Sequence, residues 1–228
     1  MHAERRSGPR ERFREQARAE AKRVALDQLA ESGPAGVSVN SIAKRMGITG
    51  PALYRYFENR DALLTELVSD AYQDLAEALE EASEGSRRKS PPVRFRELAH
   101  RFRSWALEQP HRYLLLFGTP VPGYRAPGLT LGLADRAMRA IIDVVADLAP
   151  AEPPAGRSAL DRQLASWRAE RGDDAQRPPA VLRRALLTWT RLHGLVSLEV
   201  EGQFTAMGVA PELLFRLEVQ TLLDQPWD

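Results

Sequence analysis

Cysteine is absent from the 228 residues, which excludes disulfides, thiolate catalysis, iron–sulfur clusters and cysteine-ligated zinc. Histidine is scarce: His2, His100, His111 and His193 are all there is, and no two stand at metal-ligand spacing, so neither a metal nor a cofactor is expected. No run reaches the roughly 18 apolar residues of a membrane span. The opening MHAERRSGPRERFRE carries charge without an apolar stretch, so no secretory leader is expected and the reading is of a cytoplasmic protein. GxSxG, P-loop, HExxH and GxGxxG motifs are all missing, and the acidic residues sit mostly on polar helix faces, which argues against an enzyme.

What is present is unevenly charged. The chain as a whole is close to neutral, with a formal charge of +1. Residues 1–60, however, hold twelve Lys/Arg against seven acids, while the remainder is mildly acidic. A basic N-terminal part on an acidic body suggests that one end meets an anion, nucleic acid being the candidate against an ordinary solvated arginine-rich face.

Periodicity predicts helix almost everywhere. Phe13, Ala17, Ala21, Val24, Ala25 and Leu29 form a stripe over about 11–31 that Ser32-Gly33-Pro34 stops. Ser38 can cap a short helix ending at Gly47, and Thr49 a third, with Pro51 in its first turn, running to about Phe57. Asn59 can cap a long fourth helix over 60–84. Further helices are expected at 93–109, 110–117, 129–149, 157–171, 180–202 and 211–224, separated by polar or proline-rich breaks. No strand alternation and no repeat is found, so the fold class is all-α, divided into residues 1–60 and 61–228.

The block Val37–Leu64 is the most informative. Two short helices flank the tight turn Gly47-Ile48-Thr49, and Ile42, Ala43, Met46, Ile48, Leu53 and Phe57 can pack inward. That is helix-turn-helix spacing, with a second helix short enough for a major groove about 12 Å wide. Its outward face would show Thr49, Pro51, Ala52, Tyr54, Arg55 and Tyr56.

The string SVNSIAKRMGITGPALYRYFENRDALL resembles the N-terminal domain of TetR-family transcriptional regulators. It has the Ile-Ala pair, the Gly-Ile-Thr turn, Leu-Tyr-x-Tyr-Phe, a basic residue beyond it and Leu-Leu. Arg60 stands where the family more often has Lys. The resemblance implies that Ser38, Ser41 and Lys44 contact the DNA backbone, that Thr49, Pro51, Ala52 and Tyr54 face bases, and that Arg55, Tyr56 and Arg60 clamp phosphates. Ser38 as a plain cap, Tyr56 as a packed aromatic and Arg60 as a solvated charge remain open.

A helix-turn-helix monomer reaches few phosphates, so such proteins pair on a palindrome. Leu182, Ala185, Trp189, Leu192 and Val196 recur at about 3.5 residues, and Leu214 and Leu217 belong to a last helix apolar on several sides. The family uses its last two helices as a dimeric four-helix bundle, and homodimerisation through these residues is expected. The segment Trp189-Thr-Arg-Leu-His-Gly194 resembles a C-terminal subgroup of the family. The family's C-terminal domain usually holds an apolar effector cavity. Phe102, Trp105, Tyr113, Phe117, Met138, Trp167, Trp189 and His193 are its candidate lining, with plain core packing as the alternative. The function implied is a repressor released from a palindromic operator by a small apolar or aromatic ligand.

Overall fold

A computed structural model describes residues 8–33, 36–152, 158–170 and 177–227. Arg5, Arg6, Pro34 and the expected helix ends at 157 and 171 lie outside these. Among the described residues every regular element is helical: α1 (Pro9–Ser32), α2 (Val39–Arg45), α3 (Gly50–Leu53), α4 (Arg60–Gly85), α5 (Pro91–Glu108), α6 (Pro110–Phe117), α7 (Leu129–Asp147), α8 (Ala159–Ala169), α9 (Pro179–Val200) and α10 (Pro211–Asp224), with a 3-10 turn at Thr205–Met207. None of these helices is long and apolar enough to cross a membrane.

The chain forms two compact units. One runs to Ala71 and takes in His111–Thr130; the other holds Tyr72–Pro110 and the chain from Leu131 onward. Helix α4, preceded by Asn59, whose Oδ1 accepts from the Ala62 amide at 2.8 Å, contributes to both.

The first unit is built around Ala21, Val24, Ala25 and Leu29 of α1, Ile42 and Ala43 of α2, Leu53, Phe57, and Leu63, Leu64 and Leu67 of α4. Only the C-terminal half of α1 is buried. Phe13, expected on the buried stripe, is 66% exposed because none of the described residues covers the first turns of that helix. The proline-rich segment after α6 is not a mere connector: Val121 is buried in this core, with Leu115 and Tyr124 packed against it. The hydroxyls of Tyr124 and Thr65 are 3.1 Å apart and share a hydrogen bond.

In the second unit α9 is the central element, packed by α5, α8 and α10. Apolar burial dominates, with Phe95, Trp105, Ile142, Phe215 and Leu222 among the fully enclosed side chains. Charged pairs then fix the helices in register. Arg103 of α5 donates through two nitrogens to Glu199 of α9, at 2.7 and 2.6 Å. Arg168 of α8 donates to Asp135 of α7 at 2.8 Å, both buried. Asp161 closes a capping box with Ser158 and accepts from Arg183 of α9 at 2.6 Å. The Ser158 hydroxyl first, and the Arg183 charge after it, hold the Asp161 carboxyl below its ordinary value. Buried charge of this kind is costly unless fully partnered, and here it is partnered.

Candidate nucleic-acid interface

The turn between α2 and α3 follows from one residue. Gly47 has φ 68°, the left-handed region that L side chains avoid. Its amide donates to the Lys44 carbonyl at 3.1 Å and the Ile48 amide to the Ala43 carbonyl at 3.0 Å. This pair of bonds satisfies the end of α2 and reverses the chain. At Gly50 a Cβ would stand 2.8 Å from Oδ1 of Asn40, so the start of α3 lies close against α2.

Helix α3 is shorter than expected, ending at Leu53 rather than near Phe57. Beyond it the backbone tightens into turns: the Arg55 amide donates to Ala52 and the Tyr56 amide to Leu53, each three residues back. Arg18 of α1 completes this end. Its guanidinium donates to the Tyr56 carbonyl and to the Glu66 carboxylate, and lies 4.9 Å from the centroid of the Phe57 ring. The sequence offers only one faint pointer to this, an arginine on the buried side of α1 between Ala17 and Ala21.

The other end of the motif is held as firmly. Ser38 is the N-cap of α2, its Oγ 3.5 Å from the Ser41 amide, and its own amide donates to Oε1 of the buried Gln28 at 3.0 Å. Arg60 donates through Nε to the Val37 carbonyl at 3.0 Å, so its guanidinium ties the start of α4 to the strap before α2. The clamp expected of Arg60 is thus at least in part a structural one. Tyr56 is half-buried against the core, whereas Tyr54 is 49% exposed.

Of the residues assigned to DNA from sequence, Ser38, Ser41, Lys44, Thr49, Pro51, Tyr54 and Arg55 are exposed, and Ala52, Tyr56 and Arg60 are half-covered. Thr49 makes no capping bond with its side chain, which leaves its hydroxyl at the surface.

Much of the basic charge of this region is neutralised at home. Arg18 pairs with Glu66, Lys22 with Asp70, Arg23 with Glu20 and Asp27, and Arg45 with Glu31. Hydrogen bonding first of all raises the pKa of Arg23 (to Glu20) and of Arg45 (to Glu31). Arg10, Arg12, Arg14, Lys44 and Arg55 make no ion pair among the described residues. They are the cations left to meet an anionic partner.

The eight aromatic, Met and His candidates for an effector cavity are divided between the two units. Tyr113 and Phe117 belong to the first unit, their rings 5.2 Å apart. Trp105 is buried and donates its indole N–H to Asp74 at 2.9 Å, Met138 is half-buried on α7, and Trp167 lies against the Arg168 guanidinium. Phe102 and Trp189 do line one internal void of the second unit, and His193 stacks on Trp189 at 5.2 Å. Burial holds the His193 pKa below its ordinary value. The residues expected at the dimer seam differ in exposure. Leu182, Ala185, Leu192 and Val196 are buried within their own chain and have no surface to offer, because α5, α8 and α10 already cover that face of α9. Leu214 is half-buried; Leu217, 64% exposed, is joined by Leu213 at 66% and by Leu187 and Leu198 on α9.

Known proteins share both halves of this chain. A family profile described as "Bacterial regulatory proteins, tetR family" matches residues 23–67. Another, "Tetracyclin repressor-like, C-terminal domain", matches residues 95–222, more than half of the chain. The HTH-type transcriptional regulator Rv1816 of Mycobacterium tuberculosis is 35% identical over 232 residues, covering 96% of this chain and 95% of the relative. Among solved structures, a protein described as regulatory, SCO4313, is 45% identical with a TM-score of 0.82, covering 96% of this chain and all of that one. The TetR-family regulator PfmR of Thermus thermophilus, 17% identical with a TM-score of 0.61 over 89% of this chain and 96% of its own, shares the fold. With a helix-turn-helix of this geometry at one end and a matched helical body at the other, the chain belongs to the TetR family of bacterial transcriptional regulators.

Proposed function

We propose that the protein is a homodimeric repressor that holds a palindromic operator and releases it when a small apolar or aromatic ligand enters the second unit. Residues 1–60 are its reading head and residues 61–228 its sensing and pairing part. The observation that carries this reading is the sorting of side chains on the helix-turn-helix. Ile42, Ala43, Leu53 and Phe57 supply the core, while Lys44, Thr49, Pro51, Tyr54 and Arg55 stand in solvent. Thr49, Pro51 and Ala52 are small enough for close approach to base edges beside Tyr54, and Arg55 and Lys44 reach phosphates.

Pairing is supported by the apolar surface on the last two helices. Leu213 and Leu217 are one turn apart and largely uncovered, and such side chains are what a second copy would bury. Two recognition helices would then stand about 34–36 Å apart, or a multiple of that, on successive grooves. Helix α4, shared by both units, is the element through which a ligand would alter that spacing. A coupling of about 1–3 kcal/mol lowers operator affinity roughly 5- to 150-fold.

Selection of bound fragments from random duplex DNA tests the reading. An inverted repeat is the expected product, bound with an affinity that falls linearly against salt on logarithmic axes. Failure to retain any duplex at low ionic strength overturns it.

A further inference from the structure

We propose that the void in the second unit is an anchoring site for an uncharged, largely apolar ligand carrying one hydrogen-bonding oxygen, and that the Thr188 hydroxyl receives that oxygen. This deepens the ligand-release reading above and rests on it only for its biological role.

Leu79 of α4, Phe95 and Phe102 of α5, Ile141 of α7 and Thr188 and Trp189 of α9 are among the walls, and all but Trp189 are buried. Among the described residues no charged side chain contributes to the lining. Thr188 is 1% exposed, and its Oγ1 has no hydrogen-bond partner among the described residues. A helical threonine can always turn its hydroxyl to a carbonyl of the preceding turn; this one instead leaves a donor and an acceptor unused in an apolar setting. An unmade bond of that kind is destabilising, and native proteins carry few of them.

Water is a poor guest here. The void is about 10 Å3, barely the room for one molecule, and a buried water needs two to four polar partners where this wall supplies one. A ligand with a single carbonyl or hydroxyl oxygen needs only that one, and its apolar remainder matches the leucine, isoleucine and phenylalanine walls. A carboxylate or an ammonium would be stripped of water without any counter-charge. Because the void is small, a wall must move to admit a guest. Trp189 is the candidate: it is only half-buried, at the margin of the site, and backed by the flat ring of His193.

The test uses the full-length protein without DNA and four probes of similar size: acetophenone, benzyl alcohol, toluene and benzoate at neutral pH. Binding is followed through the indole N–H resonance of Trp189, assigned with Trp189→Phe, and through the unfolding midpoint. We expect saturable binding of acetophenone and benzyl alcohol, with benzoate at least tenfold weaker. Thr188→Val should weaken acetophenone at least fivefold and leave toluene unchanged, while Thr188→Ser retains the preference. The ligand-free Thr188→Val protein should melt about 2–4 °C higher, since the unused hydroxyl is gone. Benzoate binding as well as acetophenone overturns the proposal. So does an acetophenone affinity unaltered in Thr188→Val, or the absence of binding by every probe. None of these results bears on operator recognition, which stands or falls with the DNA selection.

Discussion

Arg55 and Arg60 are five residues apart, carry the same charge and do different work. Arg55 is exposed and makes no ion pair among the described residues, whereas Arg60 holds the Val37 carbonyl. Arg55→Ala and Tyr54→Ala should each weaken operator binding by about tenfold or more, as loss of a contact worth roughly 1–3 kcal/mol requires. Arg55→Ala should also reduce the salt dependence by about one ion, with the unfolding midpoint unchanged. Arg60→Ala should instead lower the unfolding midpoint, by the loss of a charge-assisted bond worth about 1.5–3 kcal/mol. If calorimetry places both variants at the native midpoint, the structural role assigned to Arg60 is wrong. Titration belongs to this scale as well. Burial is the leading cause that pushes the pKa values of His193 and His100 below 6.5, with Arg103 and Arg216 adding to it at His100. The unfolded chain then takes up protons first, so stability present above the unfolded value is lost as pH falls through it toward the depressed folded one. The midpoint should drop as pH falls from about 7 through the unfolded value, and less steeply in His193→Gln.

Two glycines set tasks for their helices. Gly47 carries φ 68° at the end of α2, and Gly47→Ala should cost about 1–2 kcal/mol by forcing a side chain into the left-handed region. Gly194 lies exposed in the middle of α9, with nothing among the described residues beyond its own helix backbone within 4 Å of where a Cβ would stand. A glycine there weakens the helix by roughly 0.5–1 kcal/mol relative to alanine. On the pairing proposed above, that weakness is compensated by close approach of the second copy, so Gly194→Ala should loosen the dimer in sedimentation experiments. An unchanged or tighter dimer removes Gly194 from the interface. The elements also show what sequence can deliver. Helices α4, α5, α6, α9 and α10 are readable to within a few residues, because apolar spacing, proline starts and the Asn59 cap are local signals. The length of α3 is not readable, since its end is fixed by Arg18 reaching across from α1. What covers the face of α9 expected to form the dimer seam is not local either. Periodicity says that Leu182 and Val196 share a buried face, but not whether α5 or a second molecule covers it. Chain distance likewise does not tell that Tyr113 and Trp189 fall in different units.

At the scale of the molecule, pairing is the first quantity to measure. Leu213→Glu with Leu217→Glu should yield a folded monomer with native helicity, whose operator affinity drops to that of a single half-site. A double variant that remains dimeric would move the interface elsewhere. The layout of the chain has a practical outcome too. The core beneath the recognition motif is completed by Val121, with Leu115 and Tyr124, from a stretch that follows α5 in sequence. A fragment cut after Ala71 would leave an apolar hollow where those three side chains sit. Its excision as a contiguous cassette, or its grafting onto another sensor, should therefore give a molten or aggregating product unless the 111–124 patch travels with it.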